Sequence, residues 1–258
     1  ECSAMSMKYL GDTLDIHCGG VDLVFPHHEN EIAQSEGATG KPFAKYWMHN
    51  GHININNQKM SKSAGNFFTV RDIAKEFDLM AVRLFMLSAH YRSPINFSRE
   101  LIEQATSALR RIENAVELLG RVAGQHQTAL GEGEEALLHI LDGYEARFCE
   151  AMDDDLNTAD ALSAVFDLIR EANTVYAKQG SSEGAQKVLA LLQRLLEVLG
   201  LRVQAEEAVP QEILDMAAQR QQARKEKQWD VADKLRDEIQ SRGYLLEDTP
   251  QGPVVKKA

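Results

Sequence analysis

The spacing of apolar positions changes along the chain, and the changes predict its elements. Up to about residue 68 the apolar residues come in short runs, Leu14-Asp15-Ile16-His17 and His52-Ile53-Asn54-Ile55. Glycine turns at Gly19-Gly20 and a polar helix start near His27 separate them. Short strands alternating with helical stretches predict an α/β sheet. Helices are expected over residues 70–77 and 80–88. Residues 93–97 read as extended, because Pro94 crowds helical geometry at the residue before it.

From Ser98 the period becomes helical. Ser98 is a plausible N-cap, and Leu101, Ala105, Ala108, Ile112, Ala115 and Leu119 recur every three to four residues. Gly120 is the expected stop. Similar stripes run through residues 137–152, 161–176 and 188–199, predicting a bundle of about four helices whose stripes form its core. Residues 202–209 read as a polar, acidic linker. Beyond it come a helix over 211–225, a turn near Gln228-Trp229, a helix over 230–242, a strand over 244–248 and a turn at Pro250-Gln251-Gly252-Pro253. The expected fold class is mainly α with an α/β part. Five segments are expected, at residues 1–68, 69–98, 99–201, 202–209 and 210–258.

Composition narrows this picture. No apolar run in the 258 residues approaches the roughly 20 that a membrane span needs. Cys2, Cys18 and Cys149 are sparse and irregularly spaced, which argues against a disulfide framework and for a reducing cytosol. The net charge of −11 argues against a general nucleic-acid binder. Residues 220–258 nevertheless carry nine Lys and Arg against seven Asp and Glu, a net of +2, leaving −13 upstream. Any RNA contact is therefore expected to be local, and the tail is the first place to look. The start, Glu1-Cys2-Ser3, has no Met, basic segment or apolar segment, so an internal boundary is expected there.

Two motifs carry candidate chemistry. In Lys59-Met60-Ser61-Lys62-Ser63, two lysines flank a small-residue loop after a strand. Such a loop can bring two ammonium groups onto a triphosphate and stabilise charge as pyrophosphate leaves. A bare Lys-x-x-Lys is more often just a solvated basic turn. In Phe25-Pro26-His27-His28-Glu29-Asn30-Glu31, His27 and Glu31 are four apart and share a helix face. Both are acceptable zinc donors and Cys2 could add a thiolate, but the three make an incomplete tetrahedral set. On spacing alone, a capped and solvated helix start is the commoner explanation of such a pair.

The lysine motif is the second signature of class I aminoacyl-tRNA synthetases. Taken with Glu1-Cys2-Ser3-Ala4-Met5, Asp15-Ile16-His17-Cys18-Gly19-Gly20-Val21-Asp22-Leu23 and Phe25 to Glu31, the chain resembles the cysteinyl-tRNA synthetases, of bacterial type, over essentially its whole length. Cys18 stands where many members carry glycine. The resemblance implies the second half of a Rossmann-like catalytic domain over 1–68, a stem-contact connection over 69–98, a helical bundle over 99–201 and an anticodon-binding domain over 210–258. It implies ATP-dependent ligation of L-cysteine to tRNA(Cys) through cysteinyl-adenylate, with ATP and Mg2+ as substrate.

On the same grounds Lys59 and Lys62 would be catalytic. Lys62, Gly20 and Asp22 would bind ATP, and His17 and His28 would line the amino-acid pocket. Cys2, His27 and Glu31 would hold one zinc, with a fourth ligand, a cysteine, not in these residues. Arg224, Trp229, Asp233 and Asp248 would contact the anticodon. A cytoplasmic monomer is implied. The family's first signature, His-Ile-Gly-His, is also not in these residues, so the chain reads as amino-terminally truncated and inactive alone. A cysteine ligase of mycothiol synthesis and a non-catalytic tRNA-binding fragment are the alternatives. Met152-Asp153-Asp154-Asp155-Leu156-Asn157-Thr158 also resembles the family, but acids with Asn and Thr at a helix start are explained by capping alone.

Overall fold

The computed structural model describes all residues except 56, 57, 60–68, 127, 128, 179, 204–209, 227, 250, 251 and 258. The chain divides into two compact units, Glu1–Val203 and Gln204–Ala258. Helices dominate both, with three small sheets among the described residues. None of the described helices is long and apolar enough to cross a membrane.

The first unit opens with helix α1 (Cys2–Leu10) and strand β1 (Leu14–Gly20). A 3-10 turn (Val21–Leu23), a π turn (Val24–His28) and helix α2 (Glu29–Thr39) then cross over to strand β2 (Ala44–Asn50), which pairs parallel with β1. The sequence did not announce α1 or β2. Gly19 and Gly20, expected as a turn, lie inside β1. The reason is space rather than conformation. A Cβ on Gly19 would lie 2.7 Å from Cε1 of the buried His28 ring, so glycine lets that imidazole lie against the strand. The helix start expected near His27 falls at Glu29, behind the π turn.

Strand β3 (Ile53–Ile55) pairs antiparallel with β4 (Gln58–Lys59) and parallel with β5 (Ile95–Phe97). Between them lie α3 (Val70–Ile73) and α4 (Leu79–Leu87). Helix α3 is shorter than the expected 70–77. The Asp78 carboxylate accepts from the Met80 amide at 2.7 Å, so Asp78 starts a new helix instead of letting α3 run on.

Ser98 caps α5 (Arg99–Ala123), accepting from the Leu101 amide. The helix does not stop at Gly120. Leu119 and Val122 on either side of it are buried, and that packing outweighs the roughly 1 kcal/mol a helical glycine costs. The stripe over 137–152 is broken at Ile140 into α6 (Glu134–His139) and α7 (Leu141–Asp153), yet Leu137, Tyr144 and Phe148 all reach the core. Helices α8 (Thr158–Tyr176) and α9 (Ser182–Val198) complete the bundle, capped by Asn157 and Ser181. Ile112, Val165, Leu168 and Leu192 are fully buried at its centre, and α4 adds Ala81 and Leu84.

The second unit comprises α10 (Gln211–Lys225), α11 (Trp229–Ser241) and the hairpin β6 (Tyr244–Thr249) with β7 (Gly252–Lys257). Ile213, Met216, Ala217, Ile239 and Val255 form its core. Gly252 and Pro253, expected in a turn, belong to β7.

Among the described residues, one carboxylate is buried inside the bundle. Glu134 is fully buried, and its carboxylate accepts from the amides of Gly131 and Ser181 and the hydroxyls of Ser181 and Tyr176. Burial pushes its carboxyl upward, but these donors outweigh burial and hold it below the usual glutamate range. Burial and the neighbouring Glu134 push the Tyr176 phenol upward. Glu134→Ala strands these donors and should cost about 3 kcal/mol or more in urea unfolding. Because the folded carboxyl is depressed, the Glu134 contribution is present above the ordinary glutamate pKa and lost as pH falls through the folded value. The gap between the parent chain and Glu134→Gln should therefore hold from pH 7 down to the ordinary glutamate value of 4.5 and narrow only below it.

The glycines of the crossover give a second expectation. Gly19→Ala should lower stability by about 1–3 kcal/mol, because the buried His28 has no room to retreat. Gly37→Ala, on α2 with nothing within 4 Å, should instead raise it by about 0.5–1 kcal/mol. Thermal midpoints of the two variants should move in opposite directions.

Candidate active site

The parallel register of β1 and β2 builds the candidate site. His17 faces Trp47 and Gly19 faces His49, and strand alternation puts all four positions on one side of the sheet. Helix α2 brings Glu31 onto that side. Glu31 is buried, and its Oε2 lies 2.8 Å from His17 Nε2. His27 Nε2 and His28 Nε2 stand 3.8 and 4.0 Å from the same oxygen. His28 is also buried, and its Nδ1 is 2.8 Å from His49 Nε2. The Trp47 ring meets His17 edge-on at 4.8 Å between centroids and lies 5.2 Å from His28.

Two overlapping donor groups result. The ligand atoms of Cys2, His27 and Glu31 lie within 4.8 Å of one another, as do those of His17, His28 and Glu31. Cys2 opens α1, His27 ends in the π turn and Glu31 is in the first turn of α2, so three separate elements supply the first group. A thiolate, an imidazole and a carboxylate suit zinc, and their donor atoms lie within 4.8 Å of one another, so these residues fit that metal. Burial, then the neighbouring charge of His17, lowers the His28 imidazole below the ordinary histidine range despite Glu31.

Gly20 ends β1, and a Cβ there would lie 2.5 Å from Asp22 Oδ1 in the following turn, so glycine makes room for that carboxylate. Lys59 ends β4 and is described by its backbone alone, while Lys62 lies outside the described residues. In the second unit Arg224 stands exposed on α10. Trp229 opens α11 at 57% exposure, with the exposed Asp233 one turn on. Asp248 is in β6, described by its backbone. The structure thus brings together Cys2, His17, His27, His28 and Glu31. It adds Trp47 and His49, which sequence reading missed. Their only signal was the i, i+2 spacing of Trp47 and His49, meaningful once β2 is known to pair beside His17.

Three family models match the chain in order. The model of the tRNA synthetases class I (C) catalytic domain matches residues 1–107. A DALR domain matches 147–204, and the anticodon-binding domain of cysteinyl-tRNA ligase matches 206–253. The cysteine--tRNA ligase of Caldicellulosiruptor saccharolyticus is 53% identical over 100% of this chain and 56% of its own length. That of Lachnospira eligens is 50% identical over 98% of the chain and 54% of its own length. The chain therefore spans about half the length of these relatives.

Among solved structures, the Agrobacterium radiobacter K84 LeuRS in a ternary complex with tRNA and LeuAMS matches with a TM-score of 0.58 at 20% identity, over 70% of this chain and 25% of that one. Mycobacterium tuberculosis methionyl-tRNA synthetase bound by methionyl-adenylate matches with a TM-score of 0.57 at 17% identity, over 72% and 41%. These distant likenesses concern the fold alone. With the three domain models in series and relatives half identical from end to end, the chain belongs to the cysteinyl-tRNA synthetase family.

Proposed function

We propose that this protein takes part in the ATP-dependent ligation of L-cysteine to tRNA(Cys) through cysteinyl-adenylate. The observation that carries the reading is that the donor atoms of Cys2, His27 and Glu31 lie within 4.8 Å of one another, with His17 bonded to the same Glu31. These residues would hold one zinc. Bound zinc supplies a soft Lewis-acid position that favours a thiolate over a hydroxyl, which is the whole difference between cysteine and serine. A second copy of the donor logic sits behind it: the hydrogen bond between His17 and Glu31 fixes which way the carboxylate points.

The remaining residues take up the rest of the reaction. His17 and His28 line the amino-acid pocket, and burial keeps His28 neutral at pH 7. Gly20 and Asp22 receive the nucleotide, with the Asp22 carboxylate accepting from the ribose hydroxyls. The substrate carboxylate attacks the α-phosphorus of Mg-ATP and pyrophosphate leaves. Lys59 and Lys62 stabilise the charge that develops there. In the second unit Arg224, Trp229, Asp233 and Asp248 contact the anticodon. The exposed indole of Trp229 suits stacking with an unpaired base. The anticodon-domain match over 206–253 favours tRNA over an amino-sugar acceptor. The reading as a cytoplasmic monomer rests on the family alone.

Residues 1–258 by themselves should give no cysteine-dependent exchange of pyrophosphate into ATP. The exposed face of the β1–β2 pair, with Ile16 and Tyr46 open, supports this, since parallel strands work covered on both faces. Exchange above the level of a Lys62→Ala chain would overturn it. In the full-length protein, Glu31→Ala should remove the bound zinc, read by metal analysis. Trp229→Ala should raise the KM for tRNA(Cys) by about tenfold, the worth of one stacked base, and leave cysteine-dependent exchange unchanged. Zinc retained by Glu31→Ala would sink the ligand assignment.

A further inference from the structure

The acidic motif at the end of α7 does more than cap a helix. Asn157 supplies the cap of α8, accepting from the Asp160 amide. Asp155 turns the other way and meets the segment that follows α4. Its Oδ1 accepts from the Tyr91 hydroxyl at 2.7 Å, and its Oδ2 pairs with Arg92 Nε at 2.8 Å. His90 Nε2 lies 3.7 Å from Oδ2, and the His90 ring stacks on Tyr91 at 4.9 Å. Arg92 in turn lies over the Tyr91 ring, 5.8 Å from its centroid, and its Nε donates to the Tyr91 hydroxyl.

The backbone that aims this carboxylate is held in an unfavourable region. Asp155 and Leu156 have φ of 58° and 56°, left-handed values that a leucine rarely adopts. Strain of this kind persists where the surroundings enforce it, and often where function needs it.

The segment that Asp155 holds is in turn a support. The Tyr91 carbonyl accepts from the Gly51 amide at 2.8 Å, and the Ile95 amide donates to the His52 carbonyl at 2.9 Å. A Cβ on Gly51 would overlap the Ser93 backbone, so the two segments are in close contact. From there β3 runs parallel to β5, and Asn54 of β3 pairs with Lys59 of β4. Gly51 is also the residue after β2, whose His49 and Trp47 face the histidine cluster.

We propose that Asp155 is a positioning residue: through Tyr91 and Arg92 it holds the segment on which β3, and with it the lysine-bearing strand β4, is built. The catalytic consequence rests on the function proposed above, while the mechanical one does not. Asp155 touches no substrate. It carries the geometry of the helical bundle to the strands beside the site. The fold has independent ties here, since Thr158 Oγ1 also donates to the Leu87 carbonyl and α4 is anchored in the bundle core.

The test uses the full-length protein with Asp155→Ala, Asp155→Asn, Tyr91→Phe and the Asp155→Ala/Tyr91→Phe double variant. Hydrogen–deuterium exchange at residues 51–55 and 95–97 should speed up by about tenfold in Asp155→Ala, with amides of α8 and α9 unchanged. The kcat for cysteine-dependent ATP–pyrophosphate exchange should fall about tenfold, with the KM for cysteine held within about twofold. Asp155→Asn keeps an acceptor for Tyr91 and should fall between. The double variant should be no worse than Asp155→Ala, because one contact cannot be lost twice. Unchanged exchange at 51–55, or losses that add in the double variant, would overturn the proposal. Should Asp155→Ala unfold, Tyr91→Phe and Asp155→Asn decide by the same readouts. A wild-type protein without cysteine-dependent activity would refute the proposed function, and the deuterium arm would still decide the positioning.

Discussion

A buried carboxylate organises the candidate site. Removing a charge from water is costly unless hydrogen bonds or opposite charge replace the lost hydration. Glu31 meets that demand by drawing groups inward: His17 from β1 bonds its Oε2, and His27 and His28 stand within 4.0 Å of it. One side chain thus ties the strand, the π turn and helix α2 into a single arrangement. Glu31 belongs to both candidate donor groups, so the packing that satisfies it is also what brings those donors together.

Glycine makes this arrangement sterically possible. His28 is buried against β1 because Gly19 has no side chain, and its other nitrogen is met by His49 across the parallel pair. The site is built from close approach rather than from an open pocket with ligands hung around it. Its polar groups are pre-aimed by strand register and by one short crossover.

Two other carboxylates show how environment divides roles among chemically similar groups. Glu134 is fully buried among donors that all come from the bundle, and its part is to lock the turns before α6 and α9 together. Asp155 is partly exposed, so the ion pair alone would contribute little. Its weight comes from convergence, since a phenol and a guanidinium share it and a strained turn presents it. The first stabilises one unit internally. The second joins the helical bundle to the segment before β5, which pairs with β3 and, through it, with the strand bearing Lys59.

Much of the fold was written in local pattern. The stripes of α5, α8 and α9, the caps at Ser98 and Asn157 and the two helices of the second unit follow from periodicity and turn chemistry, which short segments carry by themselves. The family was legible too, because Lys59 to Ser63 and the Phe25 to Glu31 segment are contiguous in sequence. Other features depended on residues far apart in the chain. Trp47 and His49 join the site only because β2 pairs beside His17, a register that no local pattern announces. Gly19 is a strand residue because a histidine nine positions later needs its space. Gly120 fails to stop α5 because burial on either side outweighs its propensity. Asp155 looked like a capping acid because its partners, Tyr91 and Arg92, lie more than sixty residues away. Local chemistry determined most of the helices and the family they belong to. Tertiary packing decided which side chains meet, because a carboxylate or an imidazole takes its role from the groups that replace its water.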